Sequence, residues 1–335
     1  MAQRRTRARG LLALAALIAA SLVAAGCGSS GGGGAQEGKL KTLTIAYQPG
    51  IGYAPLLIVK EQGKLEKALP GTKIAWKQLD SGSAIRDGMI AGDIQVGSGG
   101  LGPFLVGWDA GIDWKVISAM EDMDLWLMAK DPKYKSLEDF KGGGKIAMPA
   151  PDSIQAVVLA KLSEQQLGDP NALKKNIVAL GHPDGLQALL SGQLAGHLTS
   201  PPFEFQEQDK GARKIATSYD AFGGPHTFNS IYVRQGFYDT QKEAVDKLNQ
   251  EVAAAVKMLN DDPDQAAKLL SKESGGDSSA KEFKDYITHE GVEYTTTPHG
   301  FKTIADFMKE IGLIKKAPED FKEVTFDNLH DSGGS

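Results

Sequence analysis

Residues 43–61 read LTIAYQPGIGYAPLLIVKE, a short β-type run followed by a polar turn and an apolar helical segment. Strand, loop and helix in this order make one unit of a parallel α/β sheet. The stretch predicts a strand over 43–47 and a helix over 54–61 that Gly63 caps. The loop between them follows the carboxyl end of the strand, which is where open α/β sheets bind their ligands.

The same unit recurs along the chain. Further strands are predicted over 73–79, 94–97, 114–119, 125–129, 145–148, 177–180 and 196–199, and further helices over 83–91, 103–110, 153–167 and 183–190. The scheme restarts near Lys145, and the segment 89–94 (MIAGDI) resembles 189–194 (LLSGQL) about a hundred residues later. The pattern therefore predicts a mostly parallel α/β sheet that is built twice.

The last hundred residues have a different pattern, with apolar residues at helical spacing over 243–259 and helical segments over 263–270, 280–288 and 301–311. We expect these helices to pack back on the first half of the chain as a helical appendix. A separate helical domain is the alternative.

The N-terminus has the composition of a secretion signal. Four arginines without an acidic residue precede an apolar stretch over 11–25, which is short for a membrane span and ends in Ala24-Ala25-Gly26-Cys27. This end resembles the lipobox of bacterial lipoproteins, in which the cysteine is acylated. We predict a signal peptide over 1–26, an acylated flexible Gly/Ser tether over 27–39, and an extracytoplasmic, lipid-anchored protein. An ordinary cleaved signal with a chance cysteine is the alternative.

Charge and cysteine content exclude several classes. The formal net charge is −5, and removing the four leader arginines from 37 basic residues leaves 33 against 42 acidic ones, a net charge of −9. This acidic body has no basic stripe for nucleic acid. A single cysteine excludes an internal disulfide or a multi-cysteine metal site, and no histidines have metal-ligand spacing, so we expect no metal.

Five loops that follow predicted strands consist mainly of Gly, Ser, Thr and Pro. They span 48–53, 80–83, 97–103, 149–153 and 199–202. Loops of this kind expose backbone N–H groups, and unpaired N–H groups at a helix start favour a small polar or anionic ligand. Each single loop could instead be a simple helix cap, as Ser83 and Ser153 are good N-caps in any protein.

The order of these loops resembles the nitrate, sulfonate and taurine class of substrate-binding proteins of ABC importers, which also includes thiamine-precursor binders. The motifs that carry the resemblance are YQPG at 47–50, SGS at 81–83, the Gly-rich turn before Pro103, LSGQ at 190–193 and SPP at 200–202. It implies the periplasmic-binding-protein type II fold, with two lobes that each contain a mixed sheet flanked by helices, and a ligand trapped when the lobes close about two crossing hinge strands.

Together with the return strand near 230–233, the resemblance places the first lobe at 40–125 and 229–335 and the second at 126–228. It implies a monomer that captures a small molecule, delivers it to a membrane permease and its ATPase, and needs no cofactor. One departure concerns Asp152-Ser153, where relatives often carry a Gly-Ser or Ser-Thr pair, because a carboxylate there would repel an anion unless it points away.

The candidate ligand-binding residues follow from the loops and the hinge. They are Gln48, Tyr53, Ser81, Gly82, Ser83, Ser98, Gly99, Trp126, Asp152, Ser153, Thr199, Ser200, His226 and Asn229. Trp126 is expected either as an apolar cleft wall or in the core. His182, His197 and His226 are more typical of hydrogen-bonded structural residues than of ligands. The acidic run 121–124 is interpreted as a solvated turn rather than a cation site.

Three functions remain open on the sequence alone. A binding protein that delivers a sulfonate, another anion or a zwitterion to a permease fits the leader and the loops. A pyrimidine or thiamine-precursor binder, or a synthase-like enzyme of the same fold, is the second possibility, and a ligand-sensing subunit is the third. Related synthases resemble cytosolic proteins with a Cys-rich motif, and no hydrolase motif is present, so we expect no enzyme.

Overall fold

The computed structural model describes residues 40–335. The predicted signal peptide (1–26), the tether (27–39) and the lipid site Cys27 therefore lie outside the described residues. No helix within 40–335 combines the length and the apolar character that crossing a membrane requires.

Eleven strands form in the described part of the chain: β1 Thr42–Tyr47, β2 Lys73–Gln78, β3 Val96–Gly100, β4 Trp114–Met123, β5 Trp126–Ala129, β6 Ile146–Met148, β7 Ile177–Ala179, β8 Gly196–Leu198, β9 Arg213–Thr217, β10 Thr227–Arg234 and β11 Val292–Glu293. They make two sheets, with the orders β11-β4-β10-β3-β1-β2 and β7-β6-β8-β5-β9. In both sheets parallel and antiparallel pairs are mixed, because β10 and β11 run against their neighbours in the first sheet and β5 does so in the second. The prediction of two sheets is confirmed.

Thirteen α-helices accompany these strands: α1 Ala54–Gln62, α2 Lys64–Ala68, α3 Gly82–Ala91, α4 Leu101–Asp109, α5 Ile154–Leu167, α6 His182–Leu190, α7 Phe203–Asp209, α8 Ser218–Phe222, α9 Gln235–Thr240, α10 Lys242–Asp261, α11 Pro263–Glu273, α12 Ala280–Ile287 and α13 Phe301–Glu310. The predicted N-cap Ser153 is confirmed, whereas the predicted N-cap Ser83 is wrong, because α3 begins one residue earlier and Ser81 caps it. Ser81 Oγ accepts a hydrogen bond from the Ala84 N–H, and Ser153 Oγ accepts one from the Ala156 N–H.

The two sheets define the two lobes of the molecule. We call the part around the six-stranded sheet the first lobe and the part around the five-stranded sheet the second lobe. The chain passes between them after β4 and again before β10. Strand β10 begins at Thr227, two residues before the predicted boundary at Asn229. The two-lobed fold is confirmed, whereas the boundary residues of the lobes stay a prediction.

The C-terminal helices pack on the first lobe. Lys60 at the end of α1 forms an ion pair of 2.6 Å with Glu273 at the end of α11, and Leu248, Val252 and Leu259 of α10 are buried in the core. An amphipathic helix gains most of its stability from such packing. The helices therefore form an appendix of this lobe and not a separate domain.

The Gly-rich segment 97–103, predicted as a loop, is mostly regular structure. Residues 96–100 form the fully buried strand β3, and α4 starts directly after it at Leu101. Glycine is required within this strand because a Cβ atom at Gly97 would collide with Met89 Sδ and with the Tyr232 ring. The prediction of a loop was wrong because the glycines serve close packing and not a turn.

The acidic run 121–124 is not a solvated turn. Glu121 and Asp122 belong to β4 and are 0% and 2% exposed. Asp122 accepts a hydrogen bond of 3.0 Å from Thr227 Oγ1 and contacts His299 Nδ1 at 2.5 Å. Buried carboxyl groups are tolerated where donors satisfy them. A run of acidic residues indicates exposure only when such partners are absent, and the partners here come from distant parts of the chain.

Candidate functional site

A small cavity lies between the two lobes, where the helices of both lobes begin. Its volume is about 10 Å³, and it is lined by Gln48, Gly82, Gly100, Pro103, Pro149, Ser153, Ile154, Gln155, Phe228 and Asn229. This is about the space that one water molecule needs. The lobes are therefore closed on each other, and a larger ligand requires them to separate.

Three helices begin at this cavity. The first turns of α3, α4 and α5 contribute Gly82, Pro103 and Ile154 to its lining, and Ser153, the N-cap of α5, lines it as well. Each helix start presents N–H groups without a partner inside the helix and the positive end of the helix dipole. Three such ends from two lobes make the cavity favourable for a negatively charged group.

The lobes approach each other closely beside the cavity. A Cβ atom at Gly102 in the first turn of α4 would lie 2.5 Å from the carbonyl oxygen of Asp152, so only glycine fits there. On another side, the Ile51 N–H donates to the carbonyl oxygen of Pro201 at 3.3 Å. Backbone of the first lobe thus packs directly on backbone of the second.

On the first-lobe side, a chain of buried polar groups leads away from the cavity. Gln48 Nε2 donates to Tyr53 Oη at 2.5 Å, and this hydroxyl donates to Asn229 Oδ1 at 2.8 Å. Asn229 in turn donates from its backbone N–H and from Nδ2 to Glu121 Oε1, at 2.9 Å each. Burial raises the pKa of Glu121 well above its usual value, which favours the neutral form of this carboxyl group.

The second lobe has a corresponding chain. Gln155 lines the cavity, and its Nε2 lies 3.2 Å from His182 Nε2. His182 Nδ1 contacts Thr199 Oγ1 at 3.0 Å and His197 Nε2 at 3.3 Å, and His197 Nδ1 lies 2.6 Å from Glu207 Oε1. Burial lowers the pKa of His197 to about 3 and raises that of Glu207 to about 9. These shifts favour the neutral forms of both groups near pH 7, and the contact between His197 Nδ1 and Glu207 Oε1 is then a hydrogen bond between uncharged groups.

Asp152, whose carboxylate was expected to repel an anion, is paired in the structure. Asp152 Oδ1 accepts a hydrogen bond from Ser83 Oγ, and Asp152 Oδ2 pairs with Arg86 Nη1, each at 2.5 Å. Burial favours the neutral form of Glu121 and Asp152 is paired, so both acidic residues oppose the positive ends of the three helices less than free carboxylates would.

The structure brings some of the predicted site residues to the cavity and leaves others behind it. Gln48, Gly82, Ser153 and Asn229 line it. Tyr53 lies one hydrogen bond behind the lining, and Thr199 lies two behind it because it contacts His182, which contacts Gln155. Ser83 and Asp152 contact each other at its edge. Ser81 caps α3, the buried Ser98 donates to the Ala46 carbonyl at 2.6 Å, and Gly99 packs close to Gln48 Nε2. The buried Ser200 lies directly before Pro201, beside the contact with Ile51.

Two predicted residues lie away from the cavity. Trp126 stacks edge-on against Phe205 and His289, and its Nε1 donates to Asp124 Oδ2 at 3.0 Å. It therefore belongs to the core beside the crossing strands and does not form a cleft wall. His226 packs between Tyr219 and Phe222 near the start of β10, and burial lowers its pKa.

Gln155, Arg86 and Glu121 were not among the residues predicted for the site. Gln155 is a polar residue beside the apolar positions Ile154 and Val157 at the start of a predicted helix. This break in the apolar pattern could have identified it as a candidate. Arg86 follows Ser83 by one helical turn, but its partner Asp152 is 66 residues away in the chain. No group of His, Cys, Asp and Glu among residues 40–335 is arranged to hold a metal ion.

Comparison with known proteins assigns the family. The model of the NMT1-like family matches residues 36–271. The chain belongs to the NMT1-like family. A putative aliphatic sulfonates-binding protein of Bacillus subtilis is 35% identical over 116 residues, which are 34% of this chain and 33% of that protein. The chain thus matches about one third of this relative's length. The taurine-binding periplasmic protein of Escherichia coli is 23% identical and covers 84% of this chain and 90% of that one.

Solved structures show the same fold for this family member. The alkanesulfonate-binding protein of Xanthomonas axonopodis, bound to MOPS, superposes with a TM-score of 0.67 over 83% of this chain and 96% of that one. The periplasmic nitrate-binding protein of Synechocystis superposes with a TM-score of 0.66 over 81% of each chain. Sequence identities of 20% and 14% limit this likeness to the fold.

Proposed function

We propose that this protein is the extracytoplasmic substrate-binding protein of an ABC importer. It captures a small anion between its two lobes and delivers it to a membrane permease and the associated ATPase. The observation that carries the proposal is the convergence of three helix starts, from both lobes, on one cavity at whose edge the Asp152 carboxylate is paired with Arg86. The names of its relatives favour a sulfonate as the anion.

Binding rather than catalysis is the role that the site supports. The polar groups around the cavity are amides, hydroxyls and helix starts, which hold a charged ligand but offer no activated nucleophile. The two histidines of the second lobe are neutral and fully buried behind Gln155. The lobes open to admit the ligand and close over it, and the protein works as a monomer.

A thermal-shift panel of nitrate, bicarbonate, taurine, ethanesulfonate, longer alkanesulfonates and pyrimidines tests the ligand class, with calorimetry of each hit. A ligand at one hundred times its dissociation constant adds about 2.7 kcal/mol to the free energy of unfolding. We expect shifts from anions and none from uncharged compounds. If only pyrimidines raise the melting temperature, the protein binds a thiamine precursor or a related heterocycle instead.

We propose that Cys27 carries the lipid that holds the protein at the membrane. The basic leader, the apolar stretch and the single cysteine support this. Intact mass spectrometry of detergent-extracted protein should show a chain that starts at Cys27 with a diacylglyceryl group and a further acyl or acetyl modification on it. A soluble secreted chain with an unmodified Cys27 would contradict lipid anchoring without affecting the ligand proposal.

A further inference from the structure

Within residues 40–335, a single ion pair joins the two lobes, and it lies at the edge of the cavity. Arg86 lies on α3 of the first lobe, and Asp152 lies in the segment that leads into α5 of the second. Both Asp152 oxygens are used, one by the guanidinium and one by the Ser83 hydroxyl. The two charged side chains are only 18% and 21% exposed, so solvent screens their attraction less than that of a surface pair.

The other ion pairs of residues 40–335 each stay within one lobe. Lys60 with Glu273 and Lys272 with Glu61 join parts of the first lobe, whereas His197 and Glu207 lie together in the second. The pair of Arg86 and Asp152 is therefore the one ionic contact in this part of the chain that forms on closure and breaks on opening.

The pair of Arg86 and Asp152 lies beside the cavity and therefore also affects the charge around a bound ligand. Gly82 and Ser153 line the cavity, and they are the chain neighbours of Ser83 and Asp152. An unpaired Asp152 would place a negative charge beside the start of α5, where it would repel an anion and attract an ammonium group. With Arg86 in place, the positive helix ends act on the ligand without this opposing charge.

We propose that Arg86 is a positioning residue with two roles: it holds the lobes closed through Asp152, and it makes the site select a simple anion over a zwitterion. The second role, selectivity, rests on the proposed function. A guanidinium group stays charged at every physiological pH, so Arg86 always carries the charge that this pair needs.

The closure role is tested without ligand. Spin labels at the exposed Lys67 of the first lobe and Lys141 of the second, each replaced by cysteine in a chain with Cys27→Ser, report the distance between the lobes. We expect one short distance in the otherwise unchanged protein and a major longer distance in Arg86→Gln and in Asp152→Asn. The exchanged pair Arg86→Asp with Asp152→Arg should restore the short distance. Lys281→Gln, which removes an exposed ion pair within α12, is the control and should change nothing.

The selectivity role is tested by calorimetry with ethanesulfonate and taurine, which differ by one ammonium group. Arg86→Gln should weaken ethanesulfonate at least tenfold and taurine less, so that the ratio of their affinities falls. Asp152→Asn should change this ratio in the opposite direction, because Arg86 then stands alone. A pair that merely supports the fold would weaken both ligands equally.

The outcomes separate the two roles from each other and from the proposed function. An unchanged label distance in Arg86→Gln overturns the closure role, and an unchanged affinity ratio overturns the selectivity role. If the single variants do not fold, the exchanged pair decides closure: a lost short distance overturns it, and a restored one supports it. If the unchanged protein binds no member of the panel, the proposed function and the selectivity role fail, and the label distances still decide closure.

Discussion

The two walls of the cavity are built alike and differ in one respect. In each lobe a chain of buried polar groups starts at an amide that lines the cavity and ends at a buried glutamate with a raised pKa, Glu121 in the first lobe and Glu207 in the second. Among the described residues, Oε2 of each glutamate has no hydrogen-bond partner. The first chain runs through Tyr53 and Asn229, whereas the second runs through two histidines.

Because of this difference, the two chains of polar groups change the free energy of unfolding differently as the pH falls. A carboxyl group whose folded-state pKa is raised contributes stability that is complete below its unfolded value and is lost as the pH rises through the folded one. A buried histidine with a lowered pKa contributes stability above its unfolded value, and this is lost as the pH falls. The second lobe holds groups of both signs, which offset each other, while the first-lobe chain contains only the carboxyl group.

Replacing Glu207 removes that offset and has the largest expected effect. The pKa of Glu207 is about 9 in the folded protein against an ordinary value of 4.5. Relative to Glu207→Gln, the unchanged protein should therefore lose about 1.4 kcal/mol of unfolding free energy for each pH unit between about 4.5 and 9. Urea unfolding at pH 5 and pH 8 should give a difference between the two proteins that grows by about 4 kcal/mol. A constant difference would show that Glu207 is charged in the fold.

In the Glu207→Gln variant, the glutamate no longer offsets the effect of the two histidines on stability. His197 and His182 stay neutral in the fold, and both gain a proton on unfolding below about pH 6.5. Glu207→Gln should therefore lose stability between pH 6.5 and 4.5 more steeply than the unchanged protein does. Asp131→Asn, a change on the exposed surface of the second lobe, is the control.

Asn229 and Gln155, two of the three amide residues that line the cavity, give the next prediction. Asn229→Ala removes the donor to Glu121 Oε1 and the acceptor for Tyr53, both fully buried, and should lower the free energy of unfolding by about 2–3 kcal/mol. Gln155→Ala removes one contact, to His182, and should cost about 1 kcal/mol. Equal losses in urea unfolding would contradict the difference between the two chains, and both variants should bind the ligand more weakly.

Trp126 gives the smallest expected effect and tests where the cavity ends. Trp126→Phe keeps the contact with Phe205 but loses the indole N–H that donates to Asp124, so it should cost about 1 kcal/mol of stability. Its ligand affinity should stay within about threefold of the unchanged protein, which calorimetry measures. A tenfold loss of affinity, with the stability unchanged, would show that Trp126 forms a wall of the cleft.

The fold was largely predictable because its signals are local. Strand–loop–helix units such as 43–61 and the cap at Ser153 depend on neighbouring residues, and the structure confirms them. The cap of α3 is Ser81 and not the predicted Ser83, because two serines lie within one turn and either one can start the helix. The loops also pointed to Gln48, and the predicted hinge pointed to Asn229. The segment 97–103 was misjudged because glycine signals a turn and close packing alike, and only Tyr232, far along the chain, decides between them.

The site was less predictable because its electrostatics depend on distant partners. Asp152 was expected to repel an anion, but the structure pairs it with Arg86. Glu121 was expected to be solvated, but it is buried and accepts hydrogen bonds from Asn229. Both partners are 66 or more residues away along the sequence. Whether a carboxyl group is charged, paired or neutral is a property of the packed molecule, and no local pattern encodes it.

The most direct test of the central claim is a calorimetric titration with ethanesulfonate and with ethyl methyl sulfone, which has nearly the same shape but no charge. The account predicts that ethanesulfonate binds and that the sulfone binds at least a hundredfold more weakly, because the three helix starts act on the negative charge. Equal affinities, or tighter binding of the sulfone, would contradict the claim that this cavity is built for an anion.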